Sequence, residues 1–273
     1  MRKIPDFIYG TAWKEERTAA LVELALENGF SAIDTANQRK HYFEEAVGQG
    51  LHAFLRKGTK RREDLFLQTK FTYLRGQDHR LPYDPKAAYS EQVAQSFASS
   101  LEHLGVNHIE SYVLHGPFSG IGVSDEDREV WRAMETLHGA GKVSFLGVSN
   151  VNLEQLSELF SFAKVKPRFA QIRTYASRGW EKPLLDFCAQ NDIRYQGFSL
   201  LTANRAELGS ATVLGLARKY GKEPSQILFR FARQLGMIPL TGTSSAEHMR
   251  LDLDIDSFKL TDEELESLRG LSV

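Results

Sequence analysis

The sequence has a single cysteine, Cys188, which excludes an internal disulfide and suits a reducing compartment. Cys188 lies in the apolar helical stretch "LLDFCAQ", so it reads as a small core residue and not as a nucleophile. No apolar run approaches the ~18 residues that a membrane span requires. The opening "MRKIPDF" lacks the apolar segment of a secretory leader. Neither sign of charge is in excess: formal net charge is −1, with acids and bases mixed along the chain. The one basic run, "RKGTKRRED", reads as a solvated loop before a strand and argues against a nucleic-acid partner. A glycine-rich dinucleotide turn is also missing, since "YGTAWKEE" follows the first apolar run without a GxGxxG pattern. That absence disfavours an open doubly wound sheet. The expectation is a cytoplasmic protein acting on a small molecule, with no membrane or nucleic-acid partner and no assigned metal.

What is present is a repeated alternation. Short apolar runs such as "DFIYG", "SAIDTA", "DLFLQTKF", "IESYVLHG" and "VSFLGVSN" are each followed by an amphipathic stretch. "RFAQIRTYA", "IRYQGFSLL" and "GMIPLTGTSS" continue the series, giving eight strand–helix units in 273 residues. Right-handed crossovers place every helix outside one continuous sheet, so eight units of this length predict a single (β/α)8 TIM barrel over 1–273. No linker or composition shift divides the chain.

In such barrels the chemistry sits at the C-terminal ends of the strands. Asp34 ends "SAID", Lys70 ends "LFLQTK", His115 ends "SYVLH", Ser149 and Asn150 end "FLGVSN", and Gln171 lies in "RFAQIR". Singly, each has an ordinary structural role: a turn cap, a satisfied histidine, a helix N-cap. Together, with Tyr42 on the loop after Asp34, they converge on one mouth. Their chemistry is coherent for reducing a carbonyl. A free tyrosine is a poor acid at neutral pH; a neighbouring ammonium lowers its pKa, and a carboxylate holds that ammonium in place. A neutral histidine can donate a hydrogen bond that polarises the carbonyl oxygen. Side-chain amides such as Asn150 and Gln171 can grip a nicotinamide carboxamide.

These residues carry a resemblance that covers nearly the whole chain. "YGTAW", "AIDTA", "LQTK", "VLHGP", "GVSN", "AQI" and "GFSLL" occur in the order and strand-end placement of the aldo-keto reductases, which the sequence resembles. The resemblance implies a (β/α)8 barrel that binds NADP, with NAD possible, and reduces a small-molecule carbonyl. It implies Tyr42 as general acid, Lys70 and Asp34 as its tuning pair, and His115 orienting the substrate. Ser149, Asn150 and Gln171 would hold the carboxamide, and Phe198 would stack on the nicotinamide. Ser199 and Leu201 would line the pyrophosphate path. Gly242, Thr243 and Ser245 would meet the adenosine end, and Gly10 and Thr11 would lie beneath the nicotinamide ribose. Trp13, Phe71 and Trp180 are candidates for the substrate wall.

Three departures accompany the likeness. The family's usual spacing from the aspartate to the tyrosine lands on Arg39, so Tyr42 is displaced, and His41 is the alternative. The lysine and arginine that commonly hold the 2′-phosphate are replaced by a Leu–Thr–Gly run, leaving Arg250 as substitute. The N-terminal hairpin that closes the barrel bottom is absent or truncated, and the closing helix or a partner subunit would cover that end. Two other readings stay open: the same fold with non-redox chemistry, and a cofactor-sensing, non-catalytic subunit. A monomer or weak homo-oligomer is expected.

Overall fold

The computed structural model describes residues 4–272. Eight parallel strands close in sequence order: β1 Ile8–Gly10, β2 Ala32–Asp34, β3 Phe66–Phe71, β4 Ile109–Leu114, β5 Val143–Ser149, β6 Phe169–Arg173, β7 Arg194–Phe198 and β8 Ile238–Thr241. β1 pairs with both β2 and β8, which completes the (β/α)8 barrel. The strands are short and buried on both faces, as expected when helices cover the outside.

The covering helices are α1 Thr18–Glu27, α2 Glu44–Leu55, α3 Tyr89–Leu104, α4 Asp125–Gly139, α5 Leu153–Phe162 and α6 Lys182–Gln190, then α7 Arg205–Leu208, α8 Ala211–Tyr220, α9 Pro224–Gln234, α10 Ala246–Leu253 and α11 Asp262–Arg269. Side-chain caps start several of them where the sequence turns polar: Ser124 accepts from Asp127 N, Asn152 from Gln155 N and Thr261 from Glu264 N. None of the described helices is long and apolar enough to cross a membrane.

The barrel interior has two different halves. At the bottom, Phe66 and Phe145 meet Phe169 edge-on at 5.7 and 5.8 Å, packed with Ile8, Ala32 and Ile238. This layer fills the bottom end of the barrel. The closing helix α11 does not cover it; it packs against α8 and the 176–181 segment, where Trp180 Nε1 donates to Leu268 O at 3.2 Å. Above the aromatic layer the register aligns polar residues: Asp34 lies opposite Gln68, Gln68 opposite Ser111, and Gln171 opposite both Ser149 and Gln196. Their side chains point inward and bond to one another, as Gln68 Nε2 does to Gln196 Oε1 at 2.8 Å.

Candidate active site

Asp34 is the hub of the mouth. Its buried carboxylate accepts from Lys70 Nζ at 2.8 and 2.7 Å, from Gln68 Nε2 at 2.7 Å and from Gln171 Nε2 at 3.0 Å. Lys70 is fully buried and also donates to Thr35 O at 2.7 Å. Burial alone would discharge this lysine, but Asp34 and Tyr42 more than offset it and its pKa ends above the usual value. The remaining face of the ammonium meets Tyr42, whose ring centroid lies 5.0 Å away.

Tyr42, not His41, therefore stands over the lysine. The Tyr42 ring meets His115 edge-on at 5.8 Å. His41 turns the other way and packs on the exposed Trp13 at 4.0 Å. The direction of the tyrosine shift departs from the sequence expectation. Burial raises the Tyr42 pKa by more than Lys70 lowers it, so the phenol is held protonated. His115 is pushed well below its ordinary value, first by burial and then by Lys70, and is neutral. Its Nδ1 lies 2.7 Å from Thr72 Oγ1.

Two clefts meet at this point and share His115, Asn150 and Arg173 as walls. The first, about 710 Å³, runs from Gly10, Asp34 and Tyr42 past Ser149, Asn150, Gln171 and Phe198 to Ser199, Leu201, Gly242 and Thr243. Asn150 and Ser199 adopt left-handed backbone, with φ of 55° and 57°, as the chain turns out of β5 and β7. Gln171 gives Nε2 to Asp34 and Gln196, which leaves its Oε1 as the acceptor on the cleft side. Asn150 Nδ2 is likewise engaged by His115 O at 2.7 Å. The second cleft, about 740 Å³, is walled by the loops 72–76 and 115–120, by Asn150–Asn152 and by Arg173 and Arg178.

Not every sequence candidate reaches a cleft. Thr11 is buried and donates from Oγ1 to Asp34 O at 2.9 Å, so it braces the strand end. Ser245 caps α10. Arg250 points away and donates to Asn28 Oδ1 at 2.9 Å. Phe71 is enclosed by Tyr73 and Tyr83, and Trp180 packs on Phe231, so neither forms a wall. Conversely, Lys14, Arg173 and His248 line the first cleft without having been singled out. Lys14 follows the matched "YGTAW" directly and donates to Gly242 O, so adjacency to that motif was the signal available.

The barrel and its mouth define a class, and comparison with known proteins identifies it. Residues 8–273 match the aldo/keto reductase family. The chain belongs to this family, whose members are oxidoreductases. A D-galacturonate reductase from Fragaria ananassa is 32% identical, with 96% of this chain and 83% of that one covered. An oxidoreductase of Bacillus subtilis, YtbE, is 28% identical over 99% of this chain and 90% of its own length. Among solved structures, a Bombyx mori aldo-keto reductase in complex with NADP superposes with a TM-score of 0.82 at 26% identity, covering 98% and 89% of the two chains.

Proposed function

We propose that the chain is an NADP-dependent reductase of small aldehydes or ketones, with Tyr42 as proton donor. The observation that carries this reading is the protonated Tyr42 over the Lys70–Asp34 pair, facing neutral His115 where the two clefts meet. The first cleft fits an extended nicotinamide dinucleotide. Gln171 Oε1 and Asn150 suit the carboxamide, Phe198 offers a ring face, and Lys14, held at Gly242 O, is a cation suited to the phosphates. The NADP bound by the Bombyx mori relative supports the same choice. Reduced nicotinamide, when bound, supplies the hydride.

The chain's own residues then manage the oxygen. Thr72 Oγ1–H donating to His115 Nδ1 leaves Nε2–H directed at the mouth, where it polarises the carbonyl. Tyr42 delivers its proton as charge develops on that oxygen, and the fixed Lys70 ammonium stabilises the phenolate left behind. Tyr42→Phe removes the donor and leaves the cleft shape intact. Turnover should fall by about 10²–10⁴ while NADPH binding, followed by its fluorescence, is retained. Normal turnover in this variant would sink the assignment of the acid.

A further inference from the structure

The second cleft has a one-sided charge. Arg75, Arg173 and Arg178 line it, together with His41, His115 and the amides of Gln38, Asn150, Asn152 and Gln155, and no carboxylate does so among the described residues. Arg75 donates to Pro117 O and Arg173 extends from the end of β6; neither has an acidic partner among the described residues. Arg173 and Arg178 both pack on one aromatic ring, their guanidinium carbons 5.5 and 4.7 Å from the Tyr175 centroid, so one short stretch of the wall carries two cations. Among the described residues, the carboxylate that pairs with this group is Glu181, 3.7 Å from Arg178 and turned to that single arginine.

The backbone is built to keep Arg178 there. Gly179, Trp180 and Glu181 all take left-handed conformations, at φ of 63°, 58° and 55°, a run that L-residues resist. The buried Trp180, bonded to Leu268 O, pins this turn from below. The first turn of α5, at Asn152, adds its positive dipole end to the same wall.

Resting on the reductase reading above, we infer that the substrate is a carbonyl compound bearing an anionic group, a carboxylate or a phosphate, received by Arg75, Arg173 and Arg178 while its carbonyl meets His115 and Tyr42. Planar guanidinium forks suit both oxyanions, and a concave cleft with low-dielectric walls concentrates the field on them.

The test compares 4-carboxybenzaldehyde with methyl 4-formylbenzoate, using NADPH and the intact enzyme. The ester is the more electrophilic aldehyde, so intrinsic reactivity works against the expected result. The carboxylate should nevertheless have a kcat/KM higher by about tenfold or more, expressed in KM and shrinking as salt is added. Arg173→Glu should invert that preference, and the combined Arg75→Met, Arg173→Met, Arg178→Met variant should abolish it. Glyceraldehyde 3-phosphate against glyceraldehyde tells phosphate from carboxylate recognition. Equal kcat/KM for both members of both pairs in the wild type overturns the inference and leaves the reductase reading standing. So does a preference that survives in the triple variant, or an Arg173→Glu enzyme that loses NADPH affinity with its preference unchanged. No turnover of any of the four aldehydes overturns the reductase reading and this inference with it.

Discussion

Burial sets the charge states that individual residues hold. Asp252, on α10, is 3% exposed, and burial raises its pKa to about 6 although Thr241 works in the opposite direction. Between about pH 4 and pH 6 the folded protein keeps a proton that the unfolded chain has released, so stability falls as pH rises through that window. Asp252→Asn should therefore stabilise the protein at pH 8, by about 3 kcal/mol at most, and change little below pH 4. Thermal melts at the two pH values check this; equal gains at both would refute it. Residues at strand ends were the ones most legible in the sequence, because a short apolar run announces its own end: Asp34, Lys70, His115 and Gln171 all line up there. Gln68 and Gln196 were not legible as members of the same network, since only barrel closure brings β3 across from β7. Arg250 failed for a related reason. The phase of α10 sends its guanidinium toward Asn28, and no sequence spacing fixes that rotation.

At the scale of elements, α2 is wedged between α1 and α3 by two glycines. A Cβ on Gly48 would stand 2.0 Å from His103 O, and one on Gly50 would stand 2.3 Å from Ala19 O. Gly48→Ala must push α2 away from α3, with an expected loss of about 1–3 kcal/mol or more in denaturant titration. Because Tyr42 lies two residues before the start of α2, kcat should drop as well; an unchanged melting profile would show that the helices can separate freely. The helical pattern of α2 was readable from its apolar spacing, whereas the path of the loop before it was not. Residues 35–43 are positioned by distant partners: Asn37 Nδ2 donates to Ser96 O, Gln38 Nε2 to Gly76 O, and Gln77 Nε2 to Asn37 O. Tyr42 N then closes a turn on Gln38 O. Those contacts return Tyr42 to Lys70 although the spacing expected from the resemblance fell on Arg39.

Across the whole molecule, binding and stability are linked. A dinucleotide that occupies the first cleft ties together the ends of β1, β5, β6, β7 and β8, elements far apart in the chain. At a hundredfold excess over its Kd, a ligand specific for the folded state adds about 2.7 kcal/mol. NADPH should accordingly raise the melting temperature by several degrees, and more than NADH at equal concentration; a larger shift with NADH would reverse the proposed preference. The closed (β/α)8 topology itself was readable from the eightfold alternation, but the aromatic floor of Phe66, Phe145 and Phe169 emerges only when three strands are side by side.

The single carboxylate of Asp34 serves two masters: it fixes the lysine proposed to govern the proton, and it orients the Gln171 amide proposed to grip the ring that gives the hydride. On the proposed mechanism, proton delivery and hydride aim are thus coupled through one side chain. Neither can be retuned at this position without disturbing the other, and substitutions at Lys70 and Gln171 will not combine additively.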